Sequence, residues 1–236
     1  MIMINKKISR SRFIKKAAAG AAFINLGTLG VTAARIKYNP GSERIQLKEA
    51  GPMIPPVPAI LLTVNGLEEG KDEISVVWTF VVEGKPPQIG ISVADYHVAQ
   101  KMIEEHGEFV LNVPVESIVE EFDRVDMNSG KIADKFKLSG LTRVKASIVS
   151  APAIKESPIH VECKVTQTIV APPQRKIFIA DVLATTVLEN VCDENGRLMV
   201  DNTPFFGMTS GSGEFYIMGK KVGYIGKSIG RTDIKY

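Results

Sequence analysis

Cysteine is scarce in this 236-residue chain: Cys163 and Cys192 are the only two. Two cysteines set no disulfide framework, although a single bridge stays open in an oxidising compartment. Cys163 lies in a strand-like run and reads as a buried thiol. Histidine is as sparse, and His97, His106 and His160 share no ligand-like spacing with the cysteines, so a zinc site is not expected. No Gly-x-Gly-x-x-Gly follows a strand and strands do not alternate with helices, which argues against a dinucleotide-binding doubly wound sheet. Nothing resembles a Ser-His-Asp triad or a carboxylate pair set for acid–base work. Catalysis by a protein nucleophile is therefore disfavoured.

Acidic residues are missing before Arg35, and this absence accounts for the formal charge of +3. Six of the 29 Lys and Arg (Lys6, Lys7, Arg10, Arg12, Lys15, Lys16) lie there, which leaves 23 basic against 26 acidic residues in the body. The body thus offers no basic field for nucleic acid. Residues 1–34 have the build of an export signal: a cationic stretch to Lys16, an Ala/Gly-rich apolar stretch from Ala17, and small residues Val31-Thr32-Ala33-Ala34 for cleavage. Arg10-Ser11-Arg12 is similar to the twin-arginine signal but with Ser11 interposed, so twin-arginine and Sec export both stay open, as does an uncleaved anchor. The weakly apolar stretch favours the first. The expectation is an exported, periplasmic protein that meets the membrane only through this signal, or a cytoplasmic one if the signal does not function.

An apolar fraction of 44% over this length suits one domain with a sizeable core. Residues 35–54 read as a Pro- and Gly-containing lead-in, 55–231 as the domain, and 232–236 as a tail. Strands are predicted over Ala59 to Val64, Glu73 to Val81, Gln88 to Val93, Glu108 to Val113, Thr142 to Val149, His160 to Ala171 and Lys176 to Glu189. Asp95 is placed to cap a helix with Val98, Met102 and Ile103 on one face, stopped by Gly107. Val115 to Val125 and Lys131 to Lys137 read as connecting helices, and Asp193-Glu194-Asn195-Gly196 as a tight turn. In the closing Gly-rich segment, Phe215 and Tyr216 are the aromatic residues that could reach a site. Antiparallel strands interrupted by helices between the fourth and fifth predict a mainly β fold, a closed or partly closed barrel.

Along this β-rich middle run Ser75-Val76-Val77-Trp78-Thr79, then Pro86-Pro87, Ser92, Asn112-Val113-Pro114, and Ser129-Gly130-Lys131 leading into Asp134-Lys135-Phe136. In this order and spacing they resemble the flavin reductase-like family of FMN-binding split barrels, which includes flavoredoxin, over roughly Pro55 to Arg231. The resemblance implies an antiparallel split β-barrel, a homodimer with sites near the subunit interface, and a noncovalently bound FMN. It implies an oxidoreductase that passes hydride or electrons through the flavin to free flavin, ferric iron or a redox protein, with NAD(P)H or a small redox protein as donor. Export makes the redox protein the more natural donor, since nicotinamide nucleotides are largely cytoplasmic. Flavin chemistry needs no protein nucleophile, in keeping with the missing triad.

An isoalloxazine ring is flat and apolar with a polar edge, and its ribityl phosphate is a dianion. In the family, the strand matching Ser75 to Thr79 lies along that edge, with the backbone of Val76 and Val77 on the ring and the hydroxyls of Ser75 and Thr79 toward the ribityl chain or phosphate. Trp78 would close the pocket's side or fill the core. Ser129, Gly130, Lys131, Lys135 and Phe136 follow the family's S-G-R/K-x-x-D-K-F run; Lys131 and Lys135 would hold phosphate, and Asp134 would cap the turn or pair with a lysine. Ser92 and Asn112 complete the implied cofactor set. Where the family has arginines after the serine, this chain has Ala94 and His97, and Ala99 stands in place of a hydroxyl residue. The phosphate must then lean on Lys131, Lys135 and His97, unless His97 is simply an exposed helix residue. The same departure leaves open a non-catalytic flavin carrier, and more distantly a barrel that binds haem or a pyridoxal derivative.

Overall fold

The computed structural model describes residues 38–68, 70–210 and 212–231. The export signal read over 1–34 and the tail 232–236 lie outside the described residues. The chain divides between Lys48 and Glu49 into two units. In the first, the described residues 38–48 are exposed; the second contains all the regular elements described below.

In chain order these are β1 (Val57–Pro58), β2 (Leu61–Val64), β3 (Glu73–Val76), β4 (Trp78–Gly84), β5 (Pro87–Ala94), α1 (Ala99–His106), β6 (Glu108–Val113), α2 (Val119–Met127), α3 (Lys135–Ser139), β7 (Arg143–Val144), β8 (Ala153–Ile154), β9 (Ile159–Ala171), β10 (Arg175–Val187), β11 (Phe206–Met208) and β12 (Phe215–Ile217). Seven of them form one antiparallel sheet in the order β3-β2-β6-β9-β10-β5-β4. β3 and β4 adjoin in sequence yet form its two edges, so the sheet must curl until those edges meet. Val77, between them, donates its N–H to the Ile60 carbonyl at 3.3 Å, one step beyond the Leu61–Val76 pair of β2 and β3. The expected split barrel is present, and Glu73 to Val81 is not the single strand predicted: it breaks at Val77, whose side chain turns into the core.

β2 shows why the region reads as continuously apolar. Leu62 and Val64 face the barrel interior with Ile91, Phe109, Leu111 and Phe178, while Leu61 faces a second core with Ile74, Phe122, Val125 and Phe136 from α2 and α3. A strand covered on both faces has no polar side to alternate with. The rings of Phe122, Phe206 and Phe215 pack edge-to-face at 5.3 to 5.5 Å and hold β11 and β12 onto α2. Ala99 and Ile103 of α1 join the barrel core. Gly107 ends this helix as predicted, in the left-handed region at φ 67° with its N–H on the Ile103 carbonyl. Asp95 does not cap it; the N-cap is Val98, with no side-chain bond. The predicted Val115–Val125 helix begins as a 3-10 turn at Glu116–Ile118 before α2, and the Lys131–Lys137 helix starts four residues later as α3, capped by Asp134, whose Oδ1 accepts from Lys137 N–H at 3.2 Å.

Thr142 to Val149 is the clearest misreading, since only β7 pairs there, with β8. The remainder wraps a buried carboxylate. Glu162 Oε1 accepts from the Ser147 N–H at 2.8 Å and from its hydroxyl, and Oε2 accepts from the Ile148 and Val149 N–H groups at 2.6 and 3.0 Å. These bonds take up the backbone donors that a strand would have offered to a neighbour. Cys163, beside it, is a buried free thiol pushed up to about 12 by burial and then by Glu162; Cys192 is free and half-buried. The 193–196 turn forms as expected, with Asp193 Oδ1 accepting from the N–H groups of Asn195 and Arg197 at 2.9 and 2.8 Å.

Burial alone pushes the Glu162 carboxyl up, but the bonds from Ser147, Val149 and Ile148 together outweigh it and hold the group below the usual carboxylate range. A depressed folded pKa adds stability above the unfolded value near 4.5 that disappears as pH falls through the folded one. Glu162→Gln should therefore cost about 1–3 kcal/mol at pH 7. Urea denaturation of both proteins from pH 7 to pH 3 should show the gap closing below pH 4.5; a gap independent of pH counts against this role.

Candidate functional site

The residues implicated by the sequence separate in the structure into three groups. The first sits at the barrel seam. Trp78 opens β4 and is 48% exposed, so it is a wall residue and not a core one. The Arg175 guanidinium lies 4.2 Å from the centre of its ring. β4 pairs only with β5, so its other edge has no paired strand, although β1 approaches it. Thr79 donates its hydroxyl to the Gly90 carbonyl at 3.0 Å. Val76 is half-buried and packs against the second core, whereas Val77 belongs to the first. Beside Trp78 opens a cleft of about 340 Å3 walled by Val57, Met208, Thr209, Ser210 and Ser212. Ser210 anchors its rim, accepting from the Ile54 N–H at 3.0 Å.

The second group was expected at a phosphate and is instead a buried clamp. Lys135 is 3% exposed and Glu73 5%, and they pair at 3.1 Å. Ser75, itself buried, donates its hydroxyl to Glu73 Oε1 at 3.0 Å. Gly130 is required by close approach, because a Cβ there would stand 2.2 Å from Glu73 Oε2. The anion packed against this glycine is thus the protein's own. Burial raises the Glu73 carboxyl, opposed by the Lys135 charge and by bonds from Lys135 and Ser75. Lys135 has its charge matched and Ser75 its hydroxyl engaged, so neither is placed as the sequence suggested. Lys131 and Ser129 are exposed, the Ser129 hydroxyl oxygen accepting from the Lys131 N–H at 3.3 Å.

The third group belongs to the framework. Asn112 is fully buried: its Nδ2 donates to the Leu61 carbonyl and the Thr63 hydroxyl at 3.0 Å each, and its Oδ1 accepts from the Ile154 N–H at 2.8 Å. With both ends of the amide engaged, it is a staple between β2, β6 and β8. Phe136 fills the second core, with the Arg143 guanidinium 3.9 Å from its ring centre. Ala94 is fully buried.

His97 precedes α1 and is half-buried, its ring 4.5 Å from that of Tyr96. Burial first, then the charges of Lys135 and Arg175, lower its imidazole to about 4. At that value it is neutral at pH 7. Ser92 contributes its carbonyl, which accepts from Arg175 Nη1 at 3.1 Å. Sequence reasoning missed Arg175 and Glu73. A lone acid in an otherwise apolar strand could have flagged Glu73; Arg175 becomes visible only once β10 is set in register against β5.

A larger cleft of about 790 Å3 lies between the 193–202 loop and residues 216–223, with Arg197, Lys220 and Lys221 among its walls. It has no side chain of the seam, and its walls are surface loops with Val222 almost fully exposed. The Trp78 cleft is the better candidate: its apolar wall includes the indole on which the Arg175 guanidinium rests, beside a strand edge without a paired strand, and a flat ring with a polar edge and an anionic tail calls for such surroundings.

Residues 55–206 match the family described as the flavin reductase like domain. Flavoredoxin of Methanosarcina acetivorans superposes with a TM-score of 0.71 at 26% identity, covering 80% of this chain and all of that one. Flavoredoxin of Desulfovibrio vulgaris (Miyazaki F) has the same score at 23% identity, covering 77% of this chain and 97% of its own. The uncharacterized protein YddH of Escherichia coli is 24% identical over 181 residues, 75% of this chain and 95% of the relative.

The clamp makes a prediction that separates the two lysines. Lys135→Ala leaves Glu73 buried without its partner and should destabilise by about 3–5 kcal/mol. Lys131→Ala, at an exposed position, should stay within about 0.5 kcal/mol of the parent. Urea midpoints measure both, and equal effects would remove the clamp assignment.

Proposed function

We propose, from the premise that this chain belongs to the flavin reductase like domain family, that it is an oxidoreductase working through a noncovalently bound FMN in the cleft at Trp78. The observation that carries this is the conjunction at the seam: an exposed indole, a guanidinium over its ring and an open strand edge beside an apolar cleft. FMN, when bound, supplies the redox chemistry. The chain's own residues bind and orient it: Trp78, Val57 and Met208 would exclude water from a ring, and the β4 backbone and the Thr79 region would meet its polar edge.

The electron donor is proposed to be a small redox protein or NAD(P)H, and the acceptor free flavin, ferric iron or a redox protein. A homodimer is proposed as the working form. Trp78, Phe80, Val81 and Val82 of β4 and Ile169, Val170 and Leu183 of the β9–β10 hairpin stand exposed, an apolar surface that a second copy would cover. The non-catalytic flavin carrier remains the second reading, favoured by one observation: Lys135 is spent on Glu73 and position 94 is a buried alanine, so two expected phosphate contacts are gone.

Purified protein should be yellow, should take up FMN when stripped, and should sediment as a dimer. Bleaching by NADH, NADPH or a reduced redox protein on a timescale of seconds supports the enzyme; a yellow protein that all three leave oxidised supports the carrier. A colourless protein that gains no flavin band with excess FMN sinks both.

Action outside the cytoplasm is proposed from residues 1–34. A processed form starting near Ala34 or Arg35 should appear in the periplasm. Changing Arg10→Lys and Arg12→Lys should hold the precursor back if the route is twin-arginine and leave a Sec route intact. Soluble full-length precursor in the cytoplasm, with no processed form elsewhere, overturns the proposal.

A further inference from the structure

With Lys135 paired to Glu73, Ala94 buried and His97 neutral, the anionic end of the ligand keeps only the exposed Lys131 of the cations the sequence assigned to it. We propose that Arg175, at the start of β10, binds the flavin phosphate in place of an arginine at position 94. This rests on the flavin reading above.

Arg175 stands directly opposite Ala94 in the β5–β10 register. Side chains of directly opposed residues point the same way with Cβ atoms about 4.5–5.5 Å apart, so a charge lost from one strand can be restored from the other. The hairpin tip that carries it is tied down, since Gln174 accepts from the Asp95 N–H at 2.8 Å through its carbonyl. The guanidinium is oriented twice, by stacking at 4.2 Å from the centre of the Trp78 ring and by the bond from Nη1 to the Ser92 carbonyl at 3.1 Å. That bond uses one of five N–H donors. Among the described residues no carboxylate pairs with Arg175, whereas Arg143 is shared between Asp72 and Asp134 and Lys135 is matched by Glu73. A half-buried guanidinium held rigid with donors to spare is the arrangement that takes a phosphate oxygen pair in a fork. Its field is already felt locally, for it helps Lys135 and burial to lower the neighbouring His97 imidazole.

The test is the affinity of stripped full-length protein for FMN and for riboflavin, which lacks the phosphate, read by quenching of flavin fluorescence. In Arg175→Gln, FMN should weaken by about 10–100-fold, the loss expected for charge-assisted bonds, and riboflavin by less than about 3-fold. Arg175→Lys keeps the charge without the fork and should weaken FMN by roughly 3–10-fold. Equal weakening of both ligands by Arg175→Gln overturns the proposal and makes Arg175 a prop for Trp78; so does an unchanged FMN affinity. Should Arg175→Gln fail to fold, the Lys variant decides, and an FMN-to-riboflavin affinity ratio equal to that of the parent overturns the proposal. A parent protein that binds neither ligand is a separate result, which fells the flavin reading itself.

Discussion

Closure of the sheet at Val77 is the constraint on which the rest of this structure depends. β3 and β4 are consecutive in the chain and occupy opposite edges of a seven-stranded sheet, so the backbone can satisfy both pairings only by wrapping the sheet into a barrel. The residue at the seam gives its side chain to the interior and its N–H to Ile60. What lies just before the seam is drawn into the buried layer under α2 and α3, and what lies just after it faces the open cleft. Ser75 and Trp78, three positions apart, therefore live in different environments: one hydroxyl is sealed against Glu73, and one indole stands half in solvent.

The positive charges near the seam divide by the same rule. Lys135 enters the layer beneath the barrel, where an unpaired ammonium would be costly, and Glu73 neutralises it with Ser75 and the bare Gly130 backbone packed around the carboxylate. Arg175 comes from the tip of the β9–β10 hairpin, where partial exposure lets a guanidinium stand without a carboxylate and the Trp78 face gives it a resting place. His97 lies within reach of both charges and is kept neutral. An electropositive corner beside an apolar cleft results, of the kind in which an anion on an aromatic ligand can be held.

Much of the barrel was legible because its strands obey simple patterns. Glu108 to Val113 appears at its predicted bounds, and the hairpin from His160 to Glu189 within two residues at either end, because their β-branched runs and bounding turns leave no competing periodicity. Thr142 to Val149 failed for a reason invisible in its own composition: its backbone donors are taken by Glu162, more than a dozen residues away in sequence. Asp134 was readable as a cap, since capping is local. Asn112 and Phe136 were not readable as framework, because their partners on β2, β8 and the second core are brought to them only by the fold.

From the residues alone came the class of fold, the order of its strands along the chain, the family resemblance and the general kind of ligand, since hydrophobic periodicity, turn chemistry and motif spacing are properties of neighbours in sequence. Which cations are free was decided by tertiary structure. A lysine in an S-G-K-x-x-D-K-F run looks the same in sequence whether it faces a phosphate or a buried glutamate, and an arginine after a hairpin turn has no visible tie to an alanine some eighty residues earlier. Burial sets the cost of leaving a charge unpaired, strand register sets which side chains share a face, and both are fixed only when the sheet closes.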